Sequence, residues 1–339
     1  DMDGISATEA IHQRSPVSQI IMLSVQGDPN YMRRAMLAGA RDFLTKPPMA
    51  DELISAVRRS GENARSERSK ASQVTTTAAF PSNQPVGPLR NEGRIIMVYS
   101  PKGGSGVTTV AVNLAITLNN EETRAVLVDG NLQFGDVTIF LNEHGKNTIL
   151  DLAPRSEELD PDIVDEVMVK QAGTGLRILA APPKPELAEN IHSDQFAKVL
   201  KYLRKVYPYV VVDCTHNLDD ITLATLDACD VLVLVVTQDI PAVKNIRLFI
   251  DLMKTIGISK DKICFVLNKY DKRISITPER IGDNLKQQVV SVIPLDERIV
   301  IPSVNRGVPF MIDNKTSPIA RTIFSLAETV RAHLARLSE

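Results

Sequence analysis

Three glycines and a threonine stand between an apolar run and a helical pattern in the stretch IIMVYSPKGGSGVTTVAVNLAITL (residues 95–118). Gly103, Gly104 and Gly106 allow backbone angles that are closed to other residues, so backbone N–H groups can converge on phosphate oxygens. Thr108 is placed to offer its hydroxyl to Mg2+. A strand, a glycine loop and a helix in this order are typical of a phosphate loop that binds a nucleoside triphosphate. The sequence therefore predicts ATP and Mg2+ as ligands.

The loop departs from the common form GxxxxGK[ST] at the residue before the threonine. Val107 stands where a lysine normally reaches the β- and γ-phosphates, so one positive charge is missing. A different lysine, Lys102, precedes the glycines. We expect ATP affinity to depend on backbone donors, on Mg2+ and on Lys102. Ser105 and Thr109 complete the loop, and residues 102–109 are predicted to surround the phosphates.

Two aspartates end predicted strands of this region. Asp213 closes the apolar run YVVVD, whose unbroken hydrophobicity is typical of a central parallel strand. A carboxylate at this position can hold Mg2+ through water, so Thr108 and Asp213 are predicted to serve the metal together. Asp129 closes the strand AVLVD in the same way. For both residues, a cap on the end of the strand is the alternative role.

Composition narrows the class of protein. A chain of 339 residues with 43% hydrophobic and 24% charged residues is typical of a soluble globular protein of two or three domains. The formal net charge of −2 argues against a general affinity for nucleic acid or anionic membrane. No apolar run has the length of a membrane span. The three cysteines lie in or beside apolar runs without a CxxC pair, which predicts buried thiols in a reducing cytosol: Cys214, Cys229 and Cys264.

Changes in composition divide the chain into three parts. Residues 1–60 carry an alternating pattern with strands IIMLS and DFLTK and helices NYMRRAMLAGA and ADELISAVRR. Residues 61–93 are rich in Ser, Thr, Asn, Gln and Pro, which predicts a flexible linker. Residues 94–339 alternate strands and helices throughout, which predicts an α/β fold with a doubly wound, mostly parallel sheet.

The first part resembles the carboxyl-terminal half of a response-regulator receiver domain. The resemblance is carried by MDGI (Met2–Ile5), Ser24, AGARDFL (Ala38–Leu44) and Lys46 followed by Pro47. In receivers, the phosphate-accepting aspartate precedes the MDG turn, so we expect the sequence to be a piece of a longer protein. The resemblance gives Ser24 and Lys46 phosphoryl-sensing positions, although a solvated lysine is the favoured interpretation here.

The third part resembles the MinD/ParA ATPases, whose deviant Walker A loop has a lysine directly before two glycines. The resemblance implies that Lys102 contacts phosphate across a dimer and that Asp213 is the Walker B aspartate. It also implies that Asn268, in CFVLNKYDK, contacts the adenine edge. In these proteins the second loop usually has the pattern DxD, and its later aspartate polarises the attacking water. Here Asn131 stands two residues after Asp129, and its amide can hold a water but cannot accept its proton. Lys102, Asp129 and Asn131 are the candidate catalytic residues.

Within that class, the chain resembles the CpaE/TadZ pilus-localisation proteins. The stretches LQFGD (residues 132–136) and QDIPAVKNIRLFIDLM (residues 238–253) carry this resemblance, together with the altered phosphate loop. It implies a homodimer formed with ATP, slow or absent hydrolysis, and pilus assembly proteins as partners at a cell pole or the inner membrane. The alternatives are a partitioning ATPase acting on DNA or membrane, and a phosphorylation-responsive output protein. No specific nucleic acid is expected, because basic residues are scattered.

The last segment, SPIARTIFSLAETVRAHLARLSE, is predicted to be an amphipathic helix. Its apolar stripe is formed by Ile319, Ile323, Leu326, Val330 and Leu334. MinD relatives end in a membrane-targeting helix, which is the alternative use of such a stripe. The polar face carries few lysines, so we expect the helix to pack against the sheet.

Overall fold

The structure is a computed structural model of the chain. It describes residues 3–14, 20–25, 35, 38, 40–46, 92–120 and 122–337. The chain divides into two units, one within residues 1–86 and the other within residues 87–339. The predicted linker lies outside the described residues, apart from residues 92 and 93.

The first unit contains one helix and two parallel strands in its described part: α1 (Gly4–Arg14), β1 (Ile20–Ser24) and β2 (Ala40–Thr45). Both predicted strands are confirmed, and the second begins two residues earlier than expected. Met22 on β1 lies opposite Phe43 on β2, and both side chains are buried. The helices predicted at residues 30–40 and 50–59 lie almost entirely outside the described residues.

The second unit is built on an eight-stranded sheet. Its strands are β3 (Arg94–Tyr99), β4 (Ala125–Asp129), β5 (Val169–Lys170), β6 (Arg177–Leu179), β7 (Tyr209–Asp213), β8 (Val231–Val236), β9 (Ile263–Tyr270) and β10 (Val289–Pro294). The spatial order is β10-β9-β8-β3-β7-β4-β6-β5, and all neighbours are parallel except β5 and β6. The predicted α/β fold with a mostly parallel sheet is confirmed.

Helices connect these strands. They are α2 (Val107–Leu118), α3 (Val137–Phe140), α4 (Ile149–Leu152), α5 (Pro161–Val167), α6 (Ser193–Val206), α7 (Asp220–Ala228), α8 (Ile240–Thr255), α9 (Pro278–Leu285), α10 (Glu297–Arg306), α11 (Phe310–Asp313) and α12 (Pro318–Arg336). Short 3₁₀ turns occupy Ala153–Arg155, Pro185–Asn190 and Lys260–Lys262.

The sheet is covered on both faces, because alternate residues of each strand point to opposite sides. On β3, Ile95 and Met97 join the core formed with α6, α7 and α8. Ile96 and Val98 join the core formed with α2 and α12. This two-sided burial accounts for the unbroken apolar runs of the central strands.

Helix α12 packs against the sheet, as its stripe predicts. The five residues of the stripe are all buried in the core that α2 shares: Ile319, Ile323, Leu326, Val330 and Leu334. The three cysteines are also free and buried, as expected of small apolar residues. Among the described residues, no helix combines the length and apolar character of a membrane span.

The two edges of the sheet differ from its centre. Strand β5 has two residues and pairs antiparallel with β6. At the other edge, β10 pairs with β9 with two irregularities of register, and it ends at Pro294, which has no N–H to donate. Helices α9 and α12 pack against β10.

Candidate functional site

The loops that follow the central strands meet at the carboxyl ends of those strands. Strand β3 lies between β7 and β8, so the chain leaves β3 at the point where the strand order reverses. In open parallel sheets, ligands bind beyond the carboxyl ends of the strands at such a point. The glycine loop, residues 100–106, begins there and leads directly into α2.

The glycine loop has the backbone that its sequence predicts. Gly104 and Gly106 have φ angles of 75° and 87°, a left-handed region that disfavours other residues. A Cβ on Gly106 would also lie 2.5 Å from Nδ2 of Asn268. Gly106 gives α2 no side-chain cap. The first N–H groups of α2 have no intrahelical partner, so they can bind an anion at the loop.

Two serines close the loop on itself. The hydroxyl of Ser105 donates to the carbonyl of Lys102 at 2.7 Å, and the hydroxyl of Ser100 donates to Ser105 Oγ at 3.0 Å. Val107 packs against the core of α2, so its side chain contributes to folding. Residues 102–109 therefore form one connected loop and helix start, although their contacts with phosphate stay a prediction.

Lys102 is paired with a carboxylate of its own subunit. Its Nζ lies 2.9 Å from both Oδ1 and Oδ2 of Asp239. Asp239 also accepts from the Thr237 hydroxyl at 2.6 Å, and it caps α8 by accepting from the Ala242 N–H at 2.9 Å. Burial opposes ionisation of Asp239, but the hydrogen bonds from Thr237, Lys102 and Ala242 hold its pKa below the usual range. A contact of Lys102 with a second subunit would require this ion pair to open.

Two buried carboxylates lie side by side below the loop. Asp129 and Asp213 end β4 and β7 at the same register position. Oδ1 of Asp129 accepts from the Asn131 N–H at 3.1 Å, and Oδ2 accepts from the Val137 N–H at 3.2 Å. Burial and the charge of Asp213 raise the pKa of Asp129 well above its usual range. Asp129 thus holds the turn that follows β4.

Asp213 has the features of a metal-holding group. Burial raises its pKa to about 7, and a hydrogen bond from the Thr108 hydroxyl opposes this rise. Its Oδ1 is buried and has no hydrogen-bond partner in the described part of the chain. Mg2+ prefers carboxylate, hydroxyl and water oxygens. The residues present therefore fit the predicted Mg2+, with Thr108 and Asp213 adjacent.

Asn131 uses its side chain to close a short turn. Its Nδ2 donates to the carbonyl of Phe134 at 2.7 Å, and its Oδ1 accepts from the Phe134 N–H at 3.4 Å. Phe134 itself is 69% exposed. The amide is therefore engaged within its own loop, and its predicted part in holding water stays a prediction.

A cavity of about 240 Å³ opens beside Gly106, Thr109 and Asn268. Its other walls are mainly apolar and come from α2, the end of β9, β10 and the loop after it, α10, α11 and α12: Val110, Lys269, Ile293, Pro294, Leu295, Asp296, Glu297, Val300, Ile301, Phe310, Ile319 and Ile323. Asn268 donates from Nδ2 to the Ser105 carbonyl at 2.8 Å. The predicted contact of Asn268 with adenine is compatible with this position and stays a prediction.

Two further residues approach the loop that the sequence did not single out. Lys269 follows Asn268, and its Nζ donates to the Gly104 carbonyl at 2.8 Å. The ring of His216 lies 3.8 Å from the position that a Cβ on Gly103 would take. The sequence offered one signal for Lys269, namely its place directly after Asn268, a predicted nucleotide-binding residue. His216 had a similar signal, since it follows Asp213 by three residues.

Comparison with known proteins gives the family. Residues 93–264 match the AAA domain family, a span of half the chain, and the chain belongs to that family. Residues 1–58 match the response regulator receiver domain. The predicted pairing of a receiver segment with a MinD/ParA-like ATPase domain is confirmed.

Individual relatives agree with this assignment. The septum site-determining protein MinD of Thermotoga maritima is 24% identical over 248 residues, which covers 70% of this chain and 88% of that protein. The ParA family ATPase of Chlorobium tepidum superposes with a TM-score of 0.66 at 24% identity, covering 69% of this chain and 98% of that one. MinD of Pyrococcus horikoshii, solved with Mg-ADP, superposes with a TM-score of 0.62 at 24% identity, covering 70% and 96%. These structures establish the fold.

Proposed function

We propose that this chain is an ATP-binding localisation protein that dimerises with ATP, hydrolyses it slowly, and acts as a scaffold for Flp (tight-adherence type IV) pilus assembly. One observation carries the ATP-binding part: the unpartnered, buried Oδ1 of Asp213 lies below a phosphate loop whose helix has no side-chain cap. A relative of the same fold is described as complexed with Mg-ADP, which supports the class of ligand.

In this proposal the glycine loop binds the phosphates, and the aspartates at the strand ends position Mg2+ and the second loop. Backbone N–H groups of residues 103–109 bind the phosphates, and the apolar cavity beside Asn268 takes the base. Thr108 and Asp213 hold Mg2+ directly or through water. Mg2+, when bound, neutralises charge on the β- and γ-phosphates. Asp129 keeps the second loop in place through its two backbone hydrogen bonds.

Slow hydrolysis follows from two side chains. Val107 is a partly buried apolar side chain packed against the core, so it supplies no charge to the phosphates. Asn131 closes its own turn and cannot accept a proton from water. A missing phosphate clamp and a missing general base are each expected to cost roughly 10²-fold in rate. ATP would then act mainly as a ligand that changes the association of the protein.

A homodimer is supported by exposed apolar side chains on the segments that follow β4 and β8. Phe134, Ile139 and Ile240 are 69%, 57% and 68% exposed, and all three follow the carboxyl ends of strands. Exposed apolar residues next to a charged ligand site suit a face that a second copy covers. ATP would add charge to that face, and Lys102 would cross the interface once it leaves Asp239.

The pilus role rests on the resemblance of residues 132–136 and 238–253 to CpaE/TadZ proteins. In this proposal the protein acts in the cytoplasm, at a pole or peripherally at the inner membrane through its partners. Partitioning on DNA is the competing function, since a relative of the same fold is a ParA family ATPase. The net charge of −2 offers little electrostatic attraction to DNA. A phosphorylation-responsive output would need a receiver aspartate.

Calorimetry with Mg-ATP, paired with light scattering for molecular mass, tests the proposal on the full chain. We expect binding, an increase in mass with ATP, and phosphate release far below one per second. Thr108→Ala should weaken binding only when Mg2+ is present. Thr117→Ala is the matched control, because the Thr117 hydroxyl bonds within α2 to the Asn113 carbonyl. Absence of Mg-ATP binding would contradict the proposal, and turnover near one per second without a partner would contradict its slow hydrolysis.

A further inference from the structure

We propose that Lys269 supplies the positive charge that position 107 lacks, by binding the phosphates of the nucleotide within its own subunit. The inference rests on the proposed ATP binding and assigns the phosphate-binding cation of that site. It concerns a residue that lies 162 positions after Val107 and outside the glycine loop.

The side chain of Lys269 lies along the glycine loop. Its Nζ donates to the Gly104 carbonyl at 2.8 Å, and its Cε lies 3.8 Å from the position of a Cβ on Gly106. Gly104 and Gly106 are the two left-handed residues of the loop. The ammonium group is therefore already at the part of the loop that surrounds the phosphates.

The backbone of Lys269 is held in an unfavourable conformation. Its φ angle is 55°, in the left-handed region that non-glycine residues rarely adopt. The preceding residue, Asn268, is buried and donates to the Ser105 carbonyl at 2.8 Å. Such a conformation persists only where the surroundings enforce it, and it often occurs at ligand sites. Here it directs a long cationic side chain toward the loop.

The charge of Lys269 is available, whereas the charge of Lys102 is not. Lys102 is neutralised by both carboxylate oxygens of Asp239. Among the described residues, Lys269 has no carboxylate partner, and its one hydrogen bond is to a neutral carbonyl. An ammonium group has three donors, so two remain for other acceptors. Exchanging a carbonyl for a phosphate oxygen replaces a neutral acceptor by a charged one, which makes the stronger hydrogen bond.

The competing role for Lys269 is structural: its bond to Gly104 would merely fasten the loop to the end of β9. The two roles predict different nucleotide profiles. A fastening role affects every nucleotide to the same extent. A phosphate-binding role affects ATP strongly and AMP weakly, because the charge of the ligand changes.

The test compares Lys269→Gln and Lys269→Arg with the unmodified full chain by calorimetry with ATP, ADP and AMP in Mg2+. We expect Lys269→Gln to weaken ATP binding about tenfold or more and to leave AMP binding nearly unchanged, with Lys269→Arg close to the unmodified chain. Lys272→Gln is the matched control, since Lys272 is an exposed lysine of the turn that directly follows β9. The side chain of Lys269 is exposed, so thermal unfolding should be unchanged.

Two results would overturn the inference while leaving the proposed function intact. One is ATP binding by Lys269→Gln as tight as that of the unmodified chain. The other is an equal loss for ATP and AMP, which would assign the structural role. If the unmodified chain failed to bind Mg-ATP, the proposed function itself would fail.

Discussion

Asp129 and Asp213 lie opposite each other at the ends of neighbouring strands, and both are buried, yet their oxygens are used differently. Both oxygens of Asp129 accept backbone N–H groups from the loop that follows it. Asp213 has a hydrogen bond from Thr108 and one buried oxygen with no partner. The same residue type at the same register thus builds a loop on one strand and keeps an oxygen without a partner among the described residues on the next.

The difference bears on the free energy that it costs to bury each of the two carboxylates. Burying a carboxylate costs free energy unless hydrogen bonds or a cation compensate. At Asp129, two backbone N–H groups supply part of that compensation, yet burial and the charge of Asp213 still raise its pKa well above the usual range. At Asp213, the Thr108 hydroxyl supplies part of it, one oxygen has no partner among the described residues, and burial raises the pKa to about 7. A bound cation would supply the rest, so substitutions at the two positions should separate binding from folding.

Asp213→Asn should have the largest effect, on metal-dependent binding. We expect Mg2+ to lose most of its contribution to ATP affinity, by roughly 10- to 100-fold, as is common for groups that hold a metal through water. The unfolding free energy without Mg2+ should not fall, because a neutral amide replaces a carboxylate that is poorly compensated. Calorimetry with and without Mg2+ and urea unfolding in EDTA measure the two effects. An unchanged dependence on Mg2+ would remove the distinction between the two aspartates.

Asp129→Ala should instead destabilise the fold. The substitution leaves the N–H groups of Asn131 and Val137 without their acceptor, and each unsatisfied buried group costs about 1–3 kcal/mol. Removing a buried carboxyl offsets part of this, so we expect a loss of about 2 kcal/mol in urea unfolding. Asp129→Asn is the control, since its amide oxygen retains one acceptor and should lose less. Full stability in Asp129→Ala would contradict the loop-building role.

Gly135→Ala should give a smaller loss through the same carboxylate. A Cβ at this position would lie 2.4 Å from Oδ2 of Asp129 and 2.4 Å from Cβ of Ala181, so neighbouring groups must move. We expect about 1 kcal/mol of destabilisation. At Gly173 a Cβ would meet only the Gln171 side chain, at 3.4 Å, so Gly173→Ala should be nearly neutral by the same measurement. Equal effects at both glycines would show that the approach to Asp129 is unimportant.

The central strands and the loop between β3 and α2 could be predicted from local sequence. Runs such as YVVVD and AVLVD are apolar because both faces of the sheet are covered, and this local signal fixes their position. The helical pattern predicted after the glycine loop is also present, and α2 begins at Val107. The metal-holding role of Asp213 was predicted from its position at the end of a buried strand, and that of Thr108 from the phosphate loop.

The hydrogen-bond partners of the two lysines at the glycine loop could not be predicted from the sequence. Lys102 and Asp239 are 137 residues apart, and a bond between them depends on the order of strands in the sheet. The contact of Lys269 with Gly104 spans 165 residues and has the same origin. Short elements were also missed. Strands β5 and β6 have two and three residues, which is too few for periodicity, and pairing alone fixes their place.

The edges of the large sheet determine how two copies can meet. A long, regular edge strand would let a second sheet continue the hydrogen-bond ladder. Strand β5 is too short to template such an addition, and β10 has two irregularities and a terminal proline beneath flanking helices. Side-by-side extension into fibres is therefore disfavoured. The proposed dimer would instead form at the face where the strands end, so a bound nucleotide would lie between the two copies.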